Sequence, residues 1–432
     1  MPDVKVAVVG AGSFVFGPSV LKDAILENRL GGLELALLDV DKEAVQLMAG
    51  VGRRMAQETG VKAKVSAHTQ RAKALDGADF VICSAARQIH KRFGMDCEIV
   101  RRLAPGHLVT EFGGVAGISY SLRQIALIQE LAADMRKLCR HAWLLDTANP
   151  MPRVAQAAHE AGIRTVGFCS VSICCYGMLW RIFGGEASNY PFTKGRETWT
   201  AVLAGLNHFS WLVDLRGRES GADLLPELRR HLAAGASCGQ KLCEQYCKET
   251  GYLLAAGDSH VRDFLPPAPG AQHLREASHG TPAERLKRLK LLRDVACGKE
   301  PWDELTAHTS WEKPMDLVAA MAFGRPAEFS SLNLLNAGQI PSLPRRVFVE
   351  TPCSVSPRGP APRKVRLPAE IQPLCLRTAL VTDAIVRAAT ARRRKLAHRA
   401  VELDPTVIDK QAGCAALDEC LKAHADVLPR YE

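Results

Sequence analysis

The chain opens on Val4-Lys5-Val6-Ala7-Val8-Val9, an apolar run that stops at Gly10. Short apolar runs closed by turn residues read as buried strands, and longer stretches with apolar positions three and four apart read as helices. On that basis strands are expected at 5–9, 33–38, 79–83, 143–145 and 165–168. Helices are expected at 18–30, 44–59, 121–138 and 153–161. Pro18 suits a first helical position, where its missing N–H is not needed. Strand and helix alternate throughout, which predicts an α/β unit: a doubly wound, mostly parallel sheet with helices on both faces. The pattern changes after residue 195. Strands at 198–204 and 347–349 now stand among long helices at 283–296 and 376–403, which predicts an α+β unit. The stretch 351–368, rich in Pro, Arg and Ser, reads as a surface loop. Two domains are therefore expected, 1–195 and 196–432, and no internal repeat is evident.

Composition adds bounds. Apolar residues make up 47% and charged residues 24% of 432 residues, ordinary values for a globular enzyme. No apolar run approaches the length of a membrane span, and the N-terminus lacks the features of a secretory signal. Fourteen cysteines are scattered rather than spaced as a disulfide framework, so free thiols in a reducing cytoplasm are expected. Cys238, Cys243 and Cys247 are expected to be buried thiols rather than a metal cluster. The net charge of +10 would attract an anionic substrate or surface. The basic runs at 285–290 and 392–395 carry apolar residues between their charges and read as solvated helix faces. No nucleic-acid or membrane partner is expected.

Gly10-Ala11-Gly12-Ser13 lies between the first strand and the first helix. Gly10 permits a tight turn, and Gly12 permits close backbone approach to a pyrophosphate at a helix N-terminus. Ser13 and Phe14 complete the turn. Asp39 ends the second strand, where a carboxylate can accept from a ribose diol and would repel a 2′-phosphate. A Rossmann-type unit binding NAD follows. The third glycine of the usual fingerprint is absent, and Val15 stands in its place. The plainer alternative is an ordinary strand–helix turn with Ser13 as cap.

Four further places carry chemistry: Asn149-Pro150 at a strand end, Cys169 after Val166-Gly167-Phe168, Asn207-His208, and Gly257-Asp258-Ser259-His260. Thiolate and imidazole suit a borderline divalent cation, yet spacing alone leaves Cys169 and His208 equally readable as core residues.

Taken in order, these segments resemble glycoside hydrolase family 4, the NAD- and metal-dependent glycosidases with α-glucosidase, α-galactosidase, α-galacturonidase and 6-phospho-glucosidase members. The resemblance runs from about residue 4 to 425. It is carried by the opening Val-Val-Gly-Ala-Gly-Ser, Leu37 to Asp41, Arg92 to Ile99, Ala142 to Pro150, Val166 to Cys169, Gly205 to Trp211, Gly257 to Val261 and Asn336 to Pro341. It implies a Rossmann-type sheet followed by an α+β domain resembling that of lactate and malate dehydrogenases. It implies Cys169 and His208 as ligands of a divalent metal, usually Mn2+, and NAD on Gly10, Gly12, Ser13, Phe14, Asp39 and Asn149. Asn149, Asn207 and His260 would contact the sugar, with Asp258 as base; Arg262 reads as structural. The implied route is oxidation at C3 by NAD, loss of the C2 proton, elimination, water addition and reduction, an exception to two-carboxylate hydrolysis. A homodimer or homotetramer is expected.

The resemblance departs at three points. Family members often carry His or Asp after the metal cysteine; here it is Ser170. A carboxylate in the segment matching 106–112 is replaced by Glu111 at best, with His107 as substitute. Gly113-Gly114-Val115-Ala116-Gly117 also differs from the family's glycine-rich stretch. An acidic sugar is one substrate that fits these departures. The competing readings are a plain NAD-dependent dehydrogenase of a sugar or hydroxy acid and a non-catalytic NAD-binding sensor.

Overall fold

The structure, a computed structural model, describes residues 4–186, 191–267, 282–307 and 311–432. One 11-stranded sheet organises them. The strands are β1 (Val4–Val9), β2 (Leu33–Leu38), β3 (Ala63–His68), β4 (Phe80–Cys83), β5 (Trp143–Asp146), β6 (Arg164–Gly167), β7 (Trp199–Leu206), β8 (Phe209–Gly217), β9 (Ala327–Leu335), β10 (Phe348–Ser356) and β11 (Gly359–Pro362). The first six are parallel in the order β3-β2-β1-β4-β5-β6, and β9-β10-β7-β8 continue the sheet with antiparallel pairing. The halves join where Gly167 of β6 lies opposite Asn333 of β9.

Both faces of the parallel half are covered, which is why its strands read as unbroken apolar runs. Side chains alternate between the faces. Val4, Val6 and Val8 enter one core with Leu33, Leu35 and Leu37. Ala7 and Val9 enter another with the helices Ile89–Leu103 and Gly114–Leu138. Val381, Ile385, Ala397 and Leu417 join this second core, so the C-terminal helices lie against the first half of the sheet. Among the described residues no helix is long and apolar enough to cross a membrane.

Three expectations change. The helix expected at 18–30 is Phe16–Leu21, widening into a π-helical turn over Lys22–Glu27. The helix expected at 376–403 is two, Gln372–Ala391 and Arg394–Leu403. They break at Arg392, whose φ is 53°. The basic run there has no apolar face to bury, and the backbone of Glu432 bonds Arg392 and Arg394 instead. The loop expected at 351–368 is largely β10 and β11. Prolines disguised it: Pro360 and Pro362 lie in β11, which pairs with β10 alone, and an edge strand needs no N–H on its outer side.

Candidate functional site

The carboxyl ends of the parallel strands carry Gly10, Asp39, Ser84, Asn149 and Cys169 on one rim, where ligands of open α/β sheets bind. At β1, Gly10 turns with φ +88°, and the amides of Gly10 and Ala11 donate to the Leu38 carbonyl. The Gly12 amide donates to Asp39 Oδ2 at 2.8 Å, and a Cβ at Gly12 would lie 2.8 Å from Asp39 Cγ. Asp39 Oδ1 accepts from the Asp41 amide at 3.0 Å. The carboxylate is thus fixed beside the glycine turn. Ser13 Oγ accepts from Val15 and Phe16 at 3.4 and 3.3 Å, the capping geometry of the plainer alternative. Close helix packing, the third glycine's task, falls to Gly17. A Cβ there would lie 2.6 Å from the Ala11 carbonyl oxygen and 2.7 Å from Met48. The helix Pro282–Ala296 leans on this turn: Arg288 stands over the Phe14 ring, and Arg285 and Arg293 pair with Asp41 and Glu43. The basic run at 285–290 is therefore partly committed to local contacts.

Cys169 Sγ and His208 Nε2 stand 3.3 Å apart. Cys169 follows β6; His208 sits in the two-residue turn between β7 and β8, where Leu206 pairs with Phe209. Its φ of 61° is a left-handed conformation that costs a β-carbon residue about 1–2 kcal/mol. Packing holds it there, with the Phe112 ring centroid at 4.3 Å and the His260 ring at 4.9 Å. Burial pushes the Cys169 thiol up to about 12; the Asn207 side chain opposes this, and Glu350 and Glu312 add to it. A cation between sulfur and imidazole would reverse that preference. Among the described residues no group of three or more His, Cys, Asp or Glu forms a metal cage. The pair would leave the remaining coordination to other ligands.

The other expected residues are distributed around this pair. Asn149 follows β5, the neighbour of β6, with Asp146 opposite Gly167. Asn207 is 1% exposed and adjoins both Cys169 and Glu350. His260 faces His208. Asp258 begins the short helix Asp258–Val261, and its oxygens accept from the amides of Leu242 and Cys243, both at 3.0 Å. That carboxylate caps the helix Lys241–Thr250. Arg262 adjoins Asp263 at 4.0 Å. Glu111 is half-buried ahead of Phe112. His107 is occupied at both ring nitrogens, by the Ala104 carbonyl and the Asp409 amide, so it is a structural tie. Cys238, Cys243 and Cys247 are buried, and burial raises all three thiols.

Sequence reasoning missed four residues. Gly17 is one. Arg153, 2% exposed, donates to the carbonyls of Phe112 and Gly117 and to Ser121 Oγ, fixing the loop that presents Phe112 to His208. Glu312 accepts from Ser170 Oγ at 3.1 Å. Glu350 lies within β10 in a row of one register, Gly167, Asn333, Glu350, Gly205 and Ser210. Its carboxyl, raised by burial, has Ser331, Ser172 and Asn207 around it, none at hydrogen-bonding geometry. A lone acid in the apolar run 347–351 was the signal available for Glu350.

Comparison with known proteins places this arrangement. The model described as "Family 4 glycosyl hydrolase" matches residues 5–184, and that of the "Family 4 glycosyl hydrolase C-terminal domain" matches residues 203–407. The chain is 26% identical over 449 residues to an alpha-galactosidase of Bacillus subtilis, covering 99% of this chain and all of the relative. An alpha-galacturonidase of the same organism is 24% identical, with 94% of each chain covered. In fold the chain is similar to a 6-phospho-alpha-glucosidase from gut microorganisms in complex with NAD and Mn2+ (TM-score 0.81, 21% identity, 100% of each chain covered). It is also similar to the 6-phospho-beta glucosidase from Thermotoga maritima with manganese, NAD+ and glucose-6-phosphate (TM-score 0.78, 19% identity, 99% of this chain and 100% of that one). The two family models together span most of the sequence, and the chain belongs to the family 4 glycosyl hydrolases, enzymes that act on glycosides.

Proposed function

We propose that this hydrolase cleaves its glycoside with NAD at the β1 turn and a divalent cation, Mn2+, between Cys169 and His208. The observation that carries the reading is the 3.3 Å approach of Sγ to Nε2, made by residues from opposite halves of the sheet. The donor set fits a borderline cation, and the fixed Asp39 carboxylate fits a ribose diol. When bound, NAD supplies a reversible hydride acceptor and the cation a Lewis acid.

This chain's residues do the rest. Asn149 hydrogen-bonds the sugar at the strand rim. Asn207 steadies Cys169, and Phe112 and His260 hold the His208 ring. Asp258 is assigned as base for the sugar proton; each of its oxygens takes one amide and keeps a second lone pair. The substrate class is a sugar or sugar-phosphate glycoside, and the net charge of +10 favours an anionic one. We place the enzyme in the cytoplasm as a homodimer or homotetramer. Fourteen free thiols support a reducing compartment. The division into 1–195 and 196–432 is supported by the change from parallel to antiparallel pairing.

The test is a panel of neutral, uronic and 6-phosphorylated aryl glycosides, assayed with NAD and Mn2+ and with each omitted. Turnover of at least one glycoside that requires both is expected. Turnover indifferent to either omission would overturn the reading.

A further inference from the structure

We propose that Glu312 is the general acid that protonates the departing glycosidic oxygen, delivering its proton through the Ser170 hydroxyl. This rests on the function proposed above and names the proton donor that bond cleavage needs. Ser170 follows Cys169 directly, so its hydroxyl lies at the edge of the reacting centre. Ser170 Oγ meets Glu312 Oε1 at 3.1 Å, although 142 residues separate them.

The alternatives narrow the choice. Two carboxyls, Glu312 and Glu350, act on the Cys169 thiol. Glu350 is 1% exposed and enclosed within the sheet row. Glu312 is only partly covered. Asp258 is anchored to the amides of Leu242 and Cys243. His107 is occupied at both nitrogens. Glu111 belongs to the loop that presents Phe112 to His208, and among the described residues no contact ties it to Ser170.

The segment carrying Glu312 is held firmly. Lys313 has φ 53° and donates to Asp23 Oδ1 and Glu27 Oε2, both at 2.6 Å. These bonds pin the chain to the π-helical turn Lys22–Glu27, so the neighbouring carboxyl is presented to Ser170 from a fixed backbone.

The step balances as hydrolysis. The bond from sugar carbon to glycosidic oxygen breaks, and its electron pair stays with the departing oxygen. That oxygen takes the Ser170 proton as Ser170 takes the proton of Glu312. A water molecule then gives its hydroxyl to the sugar side and its proton to the Glu312 carboxylate.

The experiment compares wild type, Glu312→Gln and Ser170→Ala on 2,4-dinitrophenyl, 4-nitrophenyl, phenyl and methyl glycosides of the accepted sugar. Glu312→Gln should lower turnover of the methyl glycoside about 10²- to 10⁴-fold. For the dinitrophenyl glycoside, whose leaving group needs no proton, the loss should be under about tenfold. Ser170→Ala should show the same trend, less steeply. Mn2+ binding followed by electron paramagnetic resonance, and the melting temperature, should match wild type in both variants. Exchange of the sugar C2 hydrogen with D2O in intact glycoside should persist in Glu312→Gln. A loss equal across the four leaving groups, or no loss, would overturn the assignment of Glu312 while leaving the proposed function standing. No NAD- and Mn2+-dependent incorporation of deuterium at C2 of the sugar released by wild type would overturn the function itself.

Discussion

Two buried polar clusters in this molecule have opposite construction. The first centres on Asp96, fully buried between helices. Its oxygens accept from Ser119 Oγ at 2.8 Å and from Arg123 at 3.1 and 2.5 Å, and one meets His424 Nε2 at 2.9 Å. The second lies beside Cys169 and His208. Both side-chain polar atoms of Asn333, both oxygens of Glu350, Ser210 Oγ and Asn207 Oδ1 have no hydrogen-bond partner among the described residues, whereas of the first cluster's atoms His424 Nδ1 alone is so placed. A buried polar atom left so costs about 1–3 kcal/mol. A fold maintains the first cluster for stability. It maintains the second only where something else is gained, and the cation proposed for the neighbouring Cys169 and His208 is what we take that to be.

Mutation should separate the two. Cys169→Ala or His208→Ala has the largest expected effect on activity: loss of Lewis-acid stabilisation worth several kcal/mol, about 10³-fold or more in kcat, with the fold retained by circular dichroism. Asp96→Asn should do the reverse. Removing one partner of a buried ion pair costs about 3–5 kcal/mol, read as a fall in urea midpoint, while Mn2+ affinity of the folded protein stays at the wild-type value. Glu350→Gln should lower Mn2+ affinity about 10- to 100-fold, the usual effect of a group that supports a ligand, with little loss of stability. Equal stability losses for Glu350→Gln and Asp96→Asn would erase the contrast. The smallest effect is expected for His107→Ala. It loses the tie to Ala104 and Asp409, about 1 kcal/mol by thermal melting, with kcat unchanged.

The two regions were also unequally legible in the sequence. The β1 turn was readable because its parts are local: Gly10, Gly12 and Asp39 all belong to one strand–helix–strand unit. The pattern there showed even the missing third glycine, although not that Gly17 takes over its packing. The Cys169–His208 pair was not readable from pattern. Cys169 and His208 are 39 residues apart in the chain and come from strands that β9 and β10 separate in the sheet, so resemblance to a family had to supply the pairing. Glu312 and Arg153 were hidden for the same reason, since each acts through long-range contacts. Asp258 shows the converse limit. A Gly-Asp-Ser turn shows in sequence neither a substrate-facing carboxylate nor a helix cap, and the bonds of Asp258 to the amides of Leu242 and Cys243 could not be read from it. Fold class came through better, because strand alternation and the helix period are local signals; it failed where proline concealed β11 and where the basic run concealed the break at Arg392.

The most direct test of the central claim is the isotopic composition of the sugar released in D2O by wild-type enzyme with NAD and Mn2+. One deuterium at C2 of every product molecule is the predicted result. Product that forms at full rate with only protium at C2 would contradict the account.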